Sequence, residues 1–133
     1  MSIPVELDDL ATALEDFGAG YLMTTSGDAV KVVTVEPALQ DGVLLVTRPG
    51  KGTVRNLATN AAVTLVFPPR EEKGFSLLVD GTGAVDGEDV RVSPATAVLH
   101  RPQIHADGPP PPPSAGDQTD SCGNDCAPVV ATA

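Results

Sequence analysis

The fold of this chain is decided by the stretch Val43-Leu-Leu-Val-Thr-Arg-Pro-Gly-Lys-Gly-Thr-Val-Arg-Asn-Leu57. Its first residues are β-branched and aliphatic, which favours a strand, and the Pro-Gly pair that follows ends that strand in a turn. Val54, Leu57 and Ala58 then recur at the spacing of a helix face, and Thr53 has the side chain of an N-terminal cap. The stretch therefore predicts a strand, a glycine-rich turn and a short helix in direct succession.

The turn in this stretch is basic, although the protein is acidic. It holds Arg48, Lys51 and Arg55, and no Asp or Glu occurs between residues 42 and 70. Backbone N–H groups at a helix start, threonine hydroxyls and three cations are the donors that bind an anion such as phosphate. The spacing does not match the P-loop of NTPases, in which Ser or Thr follows the Lys directly. A phosphate site is the favoured interpretation, and a solvated basic loop is the alternative.

The charge of the whole chain limits its partners. The 133 residues include 18 acidic and 8 basic side chains, which gives a formal net charge of −10. This balance disfavours a nucleic-acid binder and attachment to anionic lipid, because both need a basic surface. No apolar run reaches the roughly 20 residues of a membrane helix, and the N-terminus does not have the pattern of a secretory signal. We therefore expect one small cytoplasmic domain with neither nucleic acid nor membrane as partner.

The remaining segments predict a mainly β protein. Residues 5–17 have apolar side chains at three- and four-residue spacing, which predicts an N-terminal helix, and residues 94–100 predict a short closing helix. Six segments rich in β-branched residues predict strands. They are residues 21–25, 29–35, 43–47, 62–67, 75–85 and 90–92. Because strands and helices do not alternate, the expected architecture is a six-stranded antiparallel barrel with short peripheral helices.

The last part of the chain has a different composition. Residues 106–133 contain four Asp and no Lys or Arg, so they carry −4 of the net charge, and they include the run Pro109 to Pro113. Without aromatic residues, such a segment buries too little apolar surface to offset its loss of entropy on folding. The sequence therefore predicts a folded domain over residues 1–105, followed over residues 106–133 by a proline-rich linker and a flexible acidic tail.

Two cysteines, Cys122 and Cys126, lie in this tail. With His100 or His105 they have the donor atoms of a four-ligand zinc site, and they also fit a reversible disulfide or an inert tail. The inert tail is favoured, so no metal site is predicted. His100 has the chemistry of a general base, but no nucleophile motif surrounds it, so a packing role is favoured and no catalytic residue is assigned.

Residues 14–102 resemble the flavin-binding split β-barrels, the pyridoxamine 5′-phosphate oxidase-like superfamily that includes the flavin and deazaflavin oxidoreductases. The resemblance rests on five motifs as well as on the strand before the basic turn. These motifs are Tyr21-Leu-Met-Thr-Thr-Ser-Gly-Asp28, Lys31-Val-Val-Thr-Val35, Val54-Arg-Asn-Leu57, Asn60-Ala-Ala-Val-Thr-Leu-Val66 and Asp80-Gly-Thr-Gly-Ala-Val85. It implies a six-stranded antiparallel split barrel with an N-terminal helix, and a homodimer with cofactor sites at its interface.

The resemblance also implies the cofactor and the residues that contact it. The cofactor is FMN or, in some subgroups, the deazaflavin coenzyme, and other subgroups bind haem. The strand Val32 to Val35 would pass beside the isoalloxazine ring, Thr47 and Arg48 would approach the ribityl-phosphate, and the following cations would bind the phosphate. The implied cofactor-binding residues are Val32, Val33, Thr34, Val35, Thr47, Arg48, Lys51, Thr53 and Arg55.

One departure from the family pattern concerns the phosphate. Many members place an Arg-Lys pair just before x-Arg-Asn-Leu, and this chain has Gly52-Thr53 there, so Lys51 is the nearest substitute cation. The sequence predicts a flavin- or deazaflavin-dependent oxidoreductase with a small-molecule substrate. It does not predict pyridoxamine phosphate oxidase activity, because the longer C-terminal region that binds that substrate is missing. The alternatives are a non-catalytic carrier, sensor or haem binder on the same fold, and a redox or metal switch in the cysteine tail.

Overall fold

The computed structural model of the chain describes residues 1–112, and within them the protein is mainly β. Eight strands and two α-helices form, so the predicted fold class is confirmed. The strands are β1 Ser2–Val5, β2 Gly20–Ser26, β3 Ala29–Val35, β4 Ala38–Gln40, β5 Val43–Val46, β6 Ala62–Phe67, β7 Ser76–Asp86 and β8 Asp89–His100. The helices are α1 Leu10–Leu14 and α2 Lys51–Thr59. No helix of these residues is long and apolar enough to cross a membrane.

The eight strands form one sheet in the order β3-β2-β6-β7-β8-β5-β4, and β1 pairs with β8. The pairs β1–β8, β2–β3, β2–β6, β4–β5 and β5–β8 are all antiparallel. Gly27 and Gly87 both have positive φ, 60° and 68°, and they close the β2–β3 and β7–β8 hairpins. Glycine adopts this conformation without steric cost, which is why short hairpin turns select it.

The prediction of six strands was too low, and the predicted N-terminal helix was too long. Ser2–Val5 is a strand in which Ile3 and Val5 are buried, and Ile3 is paired with Leu99. Residues 7–9 form a 3₁₀ turn, and only Leu10–Leu14 is α-helical. The pairing partner of β1 lies more than 90 residues away in sequence, so a local periodicity could not reveal it.

The predicted closing helix over residues 94–100 is wrong, because this segment is the second half of β8. In its first half Val90 and Val92 are buried, and in its second half Ala97 and Leu99 are buried, so the buried positions change from even to odd. Pro94 lies between the two halves and has no N–H group to donate a hydrogen bond to a neighbouring strand. Because the buried positions shift by one residue, the segment does not show the regular alternation of apolar and polar residues that identifies a strand.

The residues group into two compact units. Unit 1 comprises residues 1–18, residues 67–78 and the described residues from Thr96 onward. Its core includes Phe17 and Phe67, whose ring centroids lie 6.5 Å apart. Unit 2 comprises residues 19–66 and 79–95.

A buried arginine organises the end of unit 1. Arg101 is 6% exposed, and its guanidinium lies 4.1 Å from the centre of the Phe75 ring. It donates hydrogen bonds to the carbonyl oxygens of Lys73, Ala106 and Pro109. Burial lowers its pKa, which the nearby Asp107 partly offsets. Residues 106–109 are thus held within unit 1 by hydrogen bonds to Arg101, while the boundary at residue 105 stays a prediction.

Unit 2 carries α2 on the buried face of β2 and β3. The buried side chain of Asn56 donates a hydrogen bond from Nδ2 to Oγ1 of Thr24 on β2, at 3.1 Å. Thr53 and Leu57 share the buried face of the helix, whereas Ala58, predicted to be buried, is exposed. One buried polar bond and a single large apolar side chain therefore fix the helix to the sheet.

We predict that Gly81→Ala destabilises the protein by about 1–3 kcal/mol, as overpacking typically does. A Cβ at Gly81 would collide with the backbone oxygen of Ser93, which has little freedom to move. The matched control is Gly83→Ala, whose Cβ would meet only side-chain carbons of Leu57 and Val63 at 3.2 Å. Urea denaturation measures both, and equal losses would contradict the prediction.

We also predict that Thr24→Val costs about 1–3 kcal/mol, because it leaves the buried Asn56 amide without an acceptor. Thr25→Val is the control, since Asn60 Nδ2 donates the same kind of bond to Thr25 Oγ1 at 2.7 Å in an exposed position. Adding Asn56→Leu to Thr24→Val should recover part of the loss. Strictly additive losses in the double-mutant cycle would count against a coupled buried pair.

Candidate functional site

The basic turn joins β5 to α2 within unit 2, and its backbone is strained. Arg48 has a φ of 41° and Gly50 a φ of 121°. The first value lies in the left-handed region, which is uncommon for a residue with a Cβ. Such conformations persist where the surrounding structure enforces them, and they cluster at binding sites.

The helix begins earlier than predicted, so the assignment of Thr53 as its cap is wrong. Gly50 is the N-cap residue, and no side chain caps the helix. Thr53 is the third helical residue and is wholly buried, and its Oγ1 has no hydrogen-bond partner among the described residues. The physical reason is Gly50, whose positive φ allows the chain to enter the helix at Lys51.

Two acidic residues from the β7–β8 turn lie beside the basic turn. The Arg48 N–H donates a 2.9 Å hydrogen bond to Oδ1 of Asp89. Glu88 lines a cleft together with the basic side chains. Residues 42–70 contain no Asp or Glu, but the fold places carboxylates beside the basic turn from about 40 residues later in the chain. The side chain of Asp89 therefore holds the strained turn in place by accepting a hydrogen bond from the backbone of the turn.

The first of two neighbouring clefts has a volume of about 340 Å³ and collects three of the predicted cations. Its lining consists of Arg48, Gly50, Lys51, Val54, Arg55, Gly87 and Glu88. Three cations therefore face one carboxylate. The cleft lies at the N-terminal end of α2, where backbone N–H groups have no partner within the helix.

The second cleft has a volume of about 270 Å³ and is formed in part by residues of the same turn. It is lined by Thr34, Val35, Glu36, Thr47, Arg48 and Pro49. Arg48 lines both clefts, so the two volumes share one wall. A ligand with a phosphate at one end and an extended body could use both.

The structure thus brings most of the predicted cofactor-binding residues together but not all of them. Arg48, Lys51 and Arg55 line the first cleft, and Thr34, Val35 and Thr47 line the second with Arg48. Val32 and Val33 line neither of these two clefts, and Val32 is 51% exposed on the outer face of β3. Thr53 is on the buried face of the helix and lines neither cleft.

The charges around α2 run against its dipole. The first turn of the helix holds no acidic residue, whereas Lys51 and Arg55 are cationic and exposed. Cations near a helix N-terminus are each unfavourable by about 0.3–1 kcal/mol, and an anion there is favourable by a similar amount. The arrangement therefore suits an anionic ligand.

Lys31 lines neither cleft, but it lies against the start of α2. Its side chain passes over Gly52 in the first turn of α2. A Cβ on that glycine would lie 2.7 Å from Lys31 Cε and 3.1 Å from Lys31 Nζ. The sequence signals for this contact were Gly52, at a position where many members of the superfamily have a cation, and the single lysine among the valines of β3.

The other candidates lie away from these clefts. In unit 1, Nδ1 of His100 is 3.2 Å from Oγ of Ser2, on the paired strands β1 and β8. A separate cleft of about 410 Å³ in unit 1 is lined by Phe17, Phe75 and the prolines from 109 to 112 among others, and contains none of the predicted site residues. Residues 1–112 contain no group of three or more potential metal ligands. Cys122 and Cys126 lie outside the described residues.

Comparisons with known proteins were made by sequence and by structure. No family model matches the chain. Two curated proteins, the uncharacterized proteins Mb0449c of Mycobacterium bovis and MT0457 of Mycobacterium tuberculosis, are each 35% identical over 134 residues, which cover 92% of this chain and 92% of theirs. This identity over nearly the full length shows common family membership.

Solved structures share the fold at lower identity. A candidate pyridoxamine 5′-phosphate oxidase of Listeria innocua matches with a TM-score of 0.59 and 13% identity, over 70% of this chain and 96% of that one. The FAD binding protein of Mycobacterium smegmatis matches with a TM-score of 0.55 and 20% identity, over 76% and 100%. An F420 reductase matches with a TM-score of 0.52 and 18% identity, over 65% and 93%.

The chain therefore belongs to the family of the mycobacterial proteins Mb0449c and MT0457, and it shares its fold, an antiparallel split β-barrel, with these three solved structures.

Proposed function

We propose that this protein binds a phosphorylated flavin-type cofactor, FMN or the deazaflavin coenzyme, and acts as an oxidoreductase on a small molecule. The observation that carries the proposal is the first cleft, where Arg48, Lys51 and Arg55 surround the N-terminal end of α2 against one carboxylate. The named functions of two proteins with the same fold, an FAD binding protein and an F420 reductase, support the same class of cofactor.

The chemistry of the donors fits a phosphate group. Lys51 and Arg55 would bind its oxygens by charge-assisted hydrogen bonds, and the free N–H groups of the first helical turn would add further donors. The cofactor, when bound, supplies hydride transfer. The chain orients it, and Arg48, which lines both clefts, would lie between the phosphate and the body of the cofactor.

The second cleft would receive the part of the cofactor beyond the phosphate. Thr34 and Thr47 would offer hydroxyls there, and Val35 is buried and would exclude water from the adjoining wall. Exclusion of water on the side of Val35 would strengthen the electrostatic interactions next to it. The residues of this chain would thus position and shield the cofactor rather than take part in covalent steps.

A non-catalytic carrier on the same fold is the second candidate, with haem or another cofactor as its ligand. It is supported by Gly52 and Thr53, which stand where many members of the superfamily that the sequence resembles place an Arg-Lys pair. Reduction kinetics separate the two functions. A protein that holds its cofactor but is reduced neither by NAD(P)H nor by a reduced deazaflavin is a carrier.

We predict that Lys51→Met and Arg55→Met each weaken FMN binding by about tenfold, since a hydrogen bond between charged groups contributes about 1.5–3 kcal/mol. Flavin fluorescence titration measures the dissociation constant. Arg91→Met is the matched control, because Arg91 is an exposed arginine on β8 of the same unit and lines neither cleft. The proposal fails if wild-type protein carries no extractable flavin or deazaflavin and neither compound raises its melting temperature.

We further propose that the functional form is a homodimer that uses the outer face of β2 and β3. Tyr21, Val30 and Val32 are 42%, 63% and 51% exposed. They lie on one face of the two strands, because the β2 residues paired with Val30 and Val32 alternate along β2 with buried residues, as Tyr21 does. An exposed apolar patch on a small protein is typical of an interaction surface. A second copy of this chain is the occupant that the family resemblance implies, and a cytoplasmic location remains our expectation for the dimer.

The dimer proposal predicts that the double variant Val30→Glu/Val32→Glu is monomeric. Burying two carboxylates in an apolar interface is strongly unfavourable, so the mass measured by light scattering should fall to that of one chain. Val85→Glu is the control, since Val85 is 41% exposed on β7. A wild-type protein that is monomeric at micromolar concentration would overturn this proposal without affecting the cofactor.

A further inference from the structure

We infer that unit 1 contains a recognition site for a proline-rich segment that begins with glycine, and that residues 108–112 of the chain itself occupy it as a displaceable ligand. The site is built around the buried Arg101, which directly follows β8. All of its residues belong to unit 1, so the inference is independent of the proposed cofactor site in unit 2.

The hydrogen-bonding chemistry of the segment matches that of Arg101. A proline has no backbone N–H, and successive prolines favour the extended polyproline II conformation, so the backbone of the proline run offers only acceptors. An arginine side chain offers only donors, which are five N–H groups in a rigid fork. Nη1 of Arg101 donates a hydrogen bond to the carbonyl oxygen of Pro109 at 2.6 Å. A side chain that can only donate thus binds a backbone that can only accept.

Residues outside the segment hold the guanidinium of Arg101 in position. It lies 4.1 Å from the centre of the buried Phe75 ring, and Nη1 also donates to the carbonyl oxygen of Lys73 at 3.3 Å. Lys73 itself has a φ of 62°, which is uncommon for a residue with a Cβ. A buried cation is costly unless its donors have acceptors. The site is therefore formed by Phe75 and Lys73, and the segment supplies the acceptor that completes it.

Gly108 determines which segments fit the site. A Cβ at this position would collide with the backbone oxygen of Lys73 and would lie 2.8 Å from the Cβ of Lys73. The backbone of Lys73 cannot rotate away from this collision as the end of a long side chain could. The salt bridge between Lys73 Nζ and Asp107 Oδ2, at 3.2 Å, is exposed and so contributes little to stability. The selectivity of the site therefore depends on the glycine rather than on the ion pair.

The segment is anchored at one end and borders a cleft along the rest of its length. Gly108 and Pro109 make the contacts described above, and the prolines from 109 to 112 line the separate cleft of about 410 Å³. Pro110 is exposed, and its neighbours in the run are half-buried. Segments with few buried contacts open locally at a low cost in free energy, whereas core strands open only on global unfolding. The segment therefore has the properties of a bound ligand that can leave its site.

The first test is proteolysis of the full chain carrying Gly108→Val. Trypsin cleaves after Lys73, whose backbone lies at the site, and cleavage follows the population of the open form. We expect cleavage after Lys73 to be at least about tenfold faster than in wild type, and cleavage after Lys51 of unit 2 to be unchanged. Asp107→Asn removes only the exposed salt bridge and should stay within about twofold of wild type. Equal cleavage rates in wild type and Gly108→Val overturn the inference.

The decisive test adds the segment as a separate molecule. A fluorescein-labelled peptide of residues 106–112 should bind Gly108→Val at least about tenfold more tightly than it binds wild type, as fluorescence anisotropy measures. The reason is that the linked segment of wild type competes at a high effective concentration. The unlabelled peptide should also restore the resistance of Lys73 to trypsin in Gly108→Val, a rescue that a segment with a merely structural role would not give.

The matched control is the same peptide with Val in place of Gly108, which should neither bind nor protect. Equal binding of the two peptides, or binding of neither to Gly108→Val, overturns the recognition site. Melting temperatures show whether each variant is folded. If Gly108→Val is not folded, Gly108→Ala takes its place in both measurements, because its smaller side chain meets the same backbone oxygen.

Discussion

The hydrogen bond from Asn56 to Thr24 is the interaction on which the rest of the site depends. It is buried, 3.1 Å long and formed between neutral side chains, so its direction constrains the helix more than an apolar contact would. Helix α2 has only nine residues and is too short to be stable by itself in water. Its orientation on β2 is therefore a property of the sheet, and the cations it carries are placed by that sheet.

The side chains that line the first cleft are mainly positive, although the net charge of the chain is negative. A net charge of −10 would repel an anionic cofactor at long range, but at physiological ionic strength charges separated by more than roughly 8 Å are largely screened. Within that distance a phosphate in the first cleft would meet Lys51 and Arg55 and the end of a helix dipole. The acidic surface favours solubility, while the short-range field of the cleft would provide recognition of the proposed cofactor.

Part of the fold was predictable from local patterns. The strands 29–35 and 62–67 and the turn at Gly27 follow from β-branched runs and from residues that accept positive φ. Strand β1 was not predictable, because its partner is the far end of β8 and only the folded chain brings them together. The second half of β8 was misassigned since the irregularity near Pro94 interrupts its alternation.

The site shows the same division between local and tertiary information. The basic turn was evident from Arg48, Lys51 and Arg55, which are close in sequence and line one cleft. Asp89 was not predicted, since its contact with the turn depends on the pairing of β5 with β8. Burial of Thr53 was missed because the sequence predicted it as the cap, whereas the helix starts at Lys51 and places Thr53 on the buried face with Asn56 and Leu57.

Strand β3 lies at one end of the strand order formed by the described residues, and so it presents unpaired backbone groups along one side. Its sequence, Ala29-Val-Lys-Val-Val-Thr-Val35, has high β-propensity and one charge. Short segments of this kind are templates for edge-to-edge aggregation, and a lysine at mid-strand is a common natural protection. Lys31 is that charge, and its side chain also packs over Gly52 of α2, so the ammonium group that would protect this edge lies beside the first turn of the helix.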